Sequence, residues 1–221
     1  MCIWIITATE EESSFIKQLF SSFCKLNENI IFGNIDNIDI ICCTTGIGAK
    51  SALYMLTSMT CKFESPDIII NCGIAGQIKR SIITHDVIIS QECKWIGDDS
   101  IFRKDIYISI EKVISETLPK INLSRKNNVI YHGCILCSDH FTTKINLDFN
   151  DTEKYVCIDM ESIAIAYYAE KRKIPWVCIK SISDNVDHNA VIDMENNLFL
   201  CMHNTCEVLF QFITNYRRQK G

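Results

Sequence analysis

Two short apolar runs, each ending in acidic residues, flank a helical pattern between residues 155 and 187. The first run, 155–158, reads as a buried strand. The segment opened by Asp159, Met160 and Glu161 reads as a helix, and the run closed by Ser183 and Asp184 as a second buried strand. Strands alternating with helices give a layered α/β fold with a largely parallel or mixed sheet. Asp159, Glu161 and Asp184 then sit at the C-terminal ends of strands, where ligands bind in open α/β sheets. Carboxylates there are costly to bury unless something hydrogen-bonds them.

The rest of the chain continues the alternation. Residues 2–7 are an unbroken apolar run, as expected of a strand covered on both faces. Thr9 and Glu12 have capping-box spacing, and Phe15, Ile16, Leu19, Phe20 and Phe23 follow at helical spacing. Strands are expected at 29–34 and 38–44, a helix at 49–62, and a strand at 67–71 that leads into a glycine-bearing loop, 72–77. Further strands are expected at 85–91 and 129–137, with an amphipathic helix at 106–118. The polar segment 92–105 reads as a loop, and Ser124, Arg125 and Lys126 as a basic turn. Leu198, Met202, Cys206, Leu209 and Ile213 form the buried stripe of a final helix, 192–217. No linker or repeat interrupts this series, so residues 1–221 are expected to form a single domain.

Composition removes several classes of function. A net charge of −5 argues against a nucleic-acid partner held by phosphate neutralisation. No apolar run approaches the roughly 20 residues that cross a bilayer, so no membrane association is expected. The apolar start lacks a basic n-region and runs into three glutamates, which reads as a first strand and not a signal peptide. Many of the thirteen cysteines fall inside apolar runs, where a free thiol acts as a small hydrophobe. That placement points to a reduced, cytoplasmic location. Cys134 and Cys137 have C-x-x-C spacing, but residues three apart on a strand point to opposite faces. No metal and no cofactor is expected.

Each acidic or glycine motif has a structural reading beside a functional one. Thr45-Gly46-Ile47-Gly48-Ala49-Lys50-Ser51 lacks the spacing of a phosphate-binding P-loop. Its glycines serve either a tight turn or close backbone approach to a ligand. Glu12 is either a cap or a working acid, and Asp159 is an N-cap or a ligand contact. Glu161 lies in a helical first turn, where the dipole should lower its pKa and keep it ionised. Asp184 closes a strand as a turn residue or an acid. Phe141 is a core residue or a stacking ring. His140 and His188 carry no signal beyond surface or structural roles.

Taken in order, six segments define a resemblance: residues 5–12, 45–48, 71–76, 137–141, 159–166 and 181–187. Together they resemble the nucleoside phosphorylase and nucleosidase superfamily, and within it the bacterial 5′-methylthioadenosine/S-adenosylhomocysteine nucleosidases. The resemblance implies a three-layer α/β/α domain with a mixed central sheet. It implies a purine nucleoside as small-molecule substrate, a homodimer, and cleavage of an N-glycosidic bond through an oxocarbenium-like transition state. Glu12 would activate the attacking water and Asp184, with its pKa raised by desolvation, would protonate purine N7. Glu161 would hold the ribose hydroxyls beside Asp159, with Met160 packed on the sugar. Phe141 would stack on the base, with Thr142 and Ser183 close to it. Ile47, Ile74, Ala75 and Gly76 would line the sugar and water side, Lys180 would stand near the water, and Met194 near the 5′ substituent. The chain departs from the family pattern at Thr9, Ile74, Asp159, Lys180 and Met194. Phosphorolysis and futalosine hydrolysis are the alternative activities.

Overall fold

The computed structural model describes residues 1–97, 101–102, 106–110, 121, 123, 128–144 and 153–220. Strand β1 (Cys2–Thr7) is followed by helix α1 (Glu10–Lys17), β2 (Ser22–Lys25), β3 (Ile30–Ile35), β4 (Ile38–Thr44) and α2 (Ala49–Thr60). The middle of the chain supplies β5 (Ile68–Gln77), β6 (Val87–Ser90), β7 (Glu92–Trp95), β8 (Tyr107–Ile108), β9 (Ile130–His132) and β10 (Cys134–Cys137). It closes with β11 (Tyr155–Asp159), α3 (Ser162–Arg172), β12 (Trp176–Asp184) and α4 (Ala190–Lys220).

The strands join one mixed sheet with the order β2-β3-β4-β1-β5-β11-β10-β7-β8, while β12 pairs β5 and β6, and β9 pairs β6. Helices cover both faces, which is why β1 is apolar from Cys2 to Ile6. Trp4 and Ile6 point into the core built with Ala52, Leu56 and Met59 of α2 and Ile163 of α3. Ile3 and Ile5 point the other way, onto Ile16 of α1 and Met202, Leu209 and Phe212 of α4. The architecture is thus three layers, α/β/α, around a mixed sheet.

β5 is the strand against which the cavity forms. Its first half pairs in parallel with β1, from Ile3↔Ile68 to Ile6↔Asn71. Its other edge carries β12 along most of its length, from Trp176↔Ile69 to Asp184↔Gly76. Where β1 stops, β11 takes its place in antiparallel pairing, with Ile158 opposite Gly76.

Several sequence expectations change. The segment 72–77 is not a loop but the second half of β5, because its glycines serve close approach and not chain reversal. The helix does not reach Phe23, which lies in β2 paired to Gly33 of β3. A Cβ at Gly33 would collide with the Ser22 carbonyl and the Phe20 ring, so this glycine lets the two strands meet. Within the expected loop 92–105, Glu92–Trp95 forms β7, recruited by parallel pairing with β10. The strand expected over 129–137 is broken at Gly133 into β9, which pairs β6, and β10, which pairs β11 and β7. In the expected helix 106–118, Tyr107 and Ile108 form β8 against β7. Residues 111–120 and the basic turn 124–126 lie outside the described residues.

α3 ends at Lys173, which has left-handed backbone angles of φ 56° and ψ 42° and turns the chain towards β12. Glycine adopts that conformation without the Cβ clash. Lys173→Gly is therefore expected to raise stability by about 1 kcal/mol. Urea unfolding checks this, and an unchanged or lower midpoint would contradict it.

Candidate active site

The C-terminal ends of β1, β5, β11 and β12 open onto one cavity of about 360 Å³. Glu12, only 4% exposed, forms one wall. The Thr9 hydroxyl accepts the Glu12 N–H at 3.2 Å, and Glu12 Oε2 accepts the Thr9 N–H at 3.3 Å, so the capping box is complete. Two further donors have nothing to do with capping. The Ala8 N–H donates to Oε2 at 2.8 Å and the Ile74 N–H to Oε1 at 3.1 Å. They aim a helix-end carboxylate across to β5. Gly73 makes room for it, since a Cβ there would overlap the carboxylate.

Asp184 is aimed by an irregularity in β12. The register with β5 shifts between Ile182 and Asp184, a bulge of the kind that redirects side chains beside functional sites. The Ser183 hydroxyl donates to Asp184 Oδ2 at 2.8 Å and the Val186 N–H to Oδ1 at 3.0 Å. Val186 makes its bond from φ 56°, an uncommon conformation for a β-branched residue. Burial pushes the Asp184 carboxyl above its ordinary range, against the pull of these two hydrogen bonds. Glu12 abuts Gly73 and Asp184 abuts Gly76. The two carboxylates thus meet β5 at glycines three residues apart.

Glu161 immediately precedes α3. Its Oε1 accepts the Gly48 N–H at 2.8 Å, and its Oε2 lies 4.0 Å from Lys180 Nζ. Gly48 takes φ 97°, so the glycine turn after β4 serves to present this N–H. Glu161 was expected to titrate low at the helix start, but its pKa is raised to about 7. Burial is the largest cause. Asp159 and Glu12 add to it, while Lys180 and the Gly48 N–H oppose it. Desolvation outweighs the helix dipole.

Asp159 combines both of its readings. Its Oδ1 accepts the Ser162 N–H at 3.2 Å, as a cap does, and the Ser162 hydroxyl at 2.7 Å. Its Oδ2 accepts from Asn71 at 3.3 Å and lies 3.2 Å from Lys180 Nζ. Lys180 itself is 1% exposed and does not line the cavity. Burial pulls its ammonium down, but Asp159, Glu161 and Glu12 outweigh that and raise it.

The remaining wall is mostly apolar. Ile47, Ile74 and Ala75 meet Gly76 and Met160 there, and Ser183 lies beside Asp184. Phe141, 43% exposed, and Thr142 stand at the rim, and α4 contributes Met194. The cavity thus gathers every sequence-selected residue except Lys180. Sequence reasoning did not select Ala8, Glu11, His140, Ile158, Glu195 or Leu198, which also line it. Adjacency to Phe141 was the available signal for His140, and Leu198 was read only as part of the buried stripe. Among the described residues, no group of three or more His, Cys, Asp or Glu could hold a metal. The C-x-x-C thiols are buried, and burial pushes Cys134 up to about 12.

Fold and site together define the class: the chain belongs to the phosphorylase superfamily, whose family model matches residues 3–214. Over 214 residues it is 31% identical to the 5′-methylthioadenosine/S-adenosylhomocysteine nucleosidase of Buchnera aphidicola subsp. Schizaphis graminum, with 90% of each chain covered. A solved nucleosidase of the same name from Colwellia psychrerythraea, in complex with adenine, shares the fold with a TM-score of 0.84 at 22% identity, covering 98% of this chain and 96% of that one. Futalosine hydrolase of Helicobacter pylori shares it too, with a TM-score of 0.80 at 21% identity and 97% of each chain covered.

The raised pKa of Glu161 has a consequence for stability. Between its ordinary 4.5 and about 7, the folded chain keeps a proton that the unfolded chain has lost. Stability from this group therefore falls as pH rises through that window. Glu161→Gln is expected to flatten this part of the pH dependence. Urea unfolding at a series of pH values from 4.5 to 8 measures it, and a slope identical to that of the parent would contradict the assignment.

Proposed function

We propose that this chain is a purine nucleosidase that hydrolyses the N-glycosidic bond of 5′-methylthioadenosine, S-adenosylhomocysteine or both, releasing adenine. The observation that carries this is that Glu12 and Asp184, each set against a glycine of β5, line one cavity together with Glu161 and Phe141. A cavity of about 360 Å³ with acids on separate segments suits a nucleoside with its sugar towards Glu12 and its base towards Asp184.

In this mechanism Asp184 gives its proton to N7, and the bond between the sugar C1′ and the base breaks with its electron pair going to the purine. A raised Asp184 pKa favours the protonated form that this step needs. Water bonds to C1′ and its proton passes to Glu12. Glu12 Oε1 has one protein donor, the Ile74 N–H, and keeps acceptor capacity for that water. Glu161 accepts from the ribose hydroxyls, more strongly as positive charge develops on the sugar. Met160, Ile47, Ile74, Ala75 and Gly76 pack about the sugar, Phe141 stacks on the base beside Thr142 and Ser183, and Met194 faces the 5′ substituent. Lys180 positions Glu161 from behind the wall, and Asp159, already bonded on both oxygens, holds Lys180 in place.

Water is favoured over phosphate as the nucleophile. Lys180 is enclosed by carboxylates, and Lys79 is paired with Glu153 at 3.1 Å. Arg80 lines a different cavity. Residues 1–221 would act as one domain. The thirteen free thiols suit a reducing cytoplasm. Among the described residues, no helix is long and apolar enough to cross a membrane.

Purine release from methylthioadenosine, S-adenosylhomocysteine and futalosine, each with and without phosphate, tests the activity. Release without phosphate is expected, and a strict phosphate requirement would sink hydrolysis. Asp184→Asn should lower kcat/KM by about 10²- to 10⁴-fold. A homodimer would cover Ile47 and Tyr54, 61% and 74% exposed beside and on α2. Light scattering should then give twice the 25.3 kDa chain mass, and a monomer at micromolar concentration would refute it.

A further inference from the structure

A second cavity, of about 540 Å³, adjoins the first and is lined by Gln77, Ile78, Arg80, Thr143, Lys144, Asn185, Val186, Asp187 and His188. Successive residues of the same segments serve the two spaces. Gly76, Thr142 and Asp184 line the first, while Gln77, Thr143 and Asn185 line the second. Three side chains that can carry positive charge, Arg80, Lys144 and His188, converge here in a chain whose net charge is −5.

None of these three has a hydrogen bond or ion pair to any described residue. The neighbouring Lys79, by contrast, is paired with Glu153 at 3.1 Å. Thr143 and Asn185 add polar side chains that are equally unengaged among the described residues. The one acid in the lining, Asp187, spends Oδ1 on the Asn189 N–H at 2.8 Å. Gln77 points its amide N–H groups at the Lys79 and Ile82 carbonyls and offers no donor to the cavity. The cavity is therefore donor-rich, with three side chains able to carry positive charge set against the single carboxylate of Asp187. A planar arginine fork matches two oxygens of a tetrahedral oxyanion at once, and a lysine adds a point charge.

We propose that this second cavity binds a phosphate group, free or carried on a small ester, at a site separate from the one that cleaves the nucleoside. Bound there, the anion rests on the Asn185–Val186 turn and not against Glu12, so it is a ligand of the protein and not its nucleophile. This does not depend on the proposed hydrolysis, and the primary test is a direct binding measurement.

Calorimetric titration with inorganic phosphate, and separately with glycerol 3-phosphate, is made at low ionic strength, where exposed cations are least screened. Chloride at matched ionic strength is the blank. Expected is one site per chain, with a dissociation constant on the order of millimolar. Arg80→Ala and Lys144→Ala should each weaken it about tenfold, while Arg217→Ala, whose side chain pairs Asp36 at 3.2 Å, should leave it unchanged. Binding of phosphate alone identifies the free ion as the ligand, and tighter binding of the ester identifies the esterified group. Both lysine and arginine are exposed, so circular dichroism should show both variants folded. Purine release by them should persist. No heat from either probe overturns the proposal, as does an affinity unchanged in the Arg80→Ala/Lys144→Ala double variant.

Discussion

A lysine ammonium with almost no access to water stands at the centre of this molecule. Lys180 Nζ lies 3.2 Å from Asp159 and 4.0 Å from Glu161, with its side chain 1% exposed. Taking such charges out of water costs several kcal/mol per ion unless pairing and further hydrogen bonds offset it. Asp159 meets that condition by also accepting from Asn71 and Ser162. One network thus ties β12, β11, β5 and the first turn of α3 at the level where the cavity begins. The compensation is unequal, because one cation faces Asp159, Glu161 and Glu12 together. The surplus of negative charge, added to burial, keeps Glu161 easy to protonate.

The same economy of space governs β5. A strand in the middle of a sheet ordinarily presents side chains to both faces. Here Gly73 and Gly76 present none, and the vacated positions are taken by Glu12 on one side and by Asp184 with Val186 on the other. Carboxylates occupy places where core side chains would otherwise stand. Their orientation is then set by backbone donors, Ala8, Ile74 and Val186, which hold still when side chains do not.

Much of this was legible in the sequence because apolar runs and strand-exit acids are local signals. β1, β4, α2, β11 and β12 follow directly from such runs, and the acids at their ends do converge. What was not legible depends on partners far away in the chain. The second half of β5 looks like a loop until Glu12 and Asp184 are seen to need its glycines. β7 has no strand signal of its own and exists through its pairing with β10. The bulge before Asp184 leaves no trace in composition. The protonation of Glu161 was misjudged because the dipole of its helix is local, whereas its burial depends on distant segments and one of its two acidic neighbours, Glu12, comes from far upstream.

The bonds that shape the cavity span great lengths of chain: 62 residues from Ile74 to Glu12, 88 from Asn71 to Asp159 and 113 from Gly48 to Glu161. None of them can form inside a local hairpin or a single strand–helix unit. The loop-closure entropy of each must be met before it gives anything back. Helices and short hairpins can assemble with the cavity still absent, and no contiguous fragment short of nearly the whole chain contains both of its walls. A formed cavity in this protein is therefore a statement about nearly the whole chain, through β12 and into the first turns of α4.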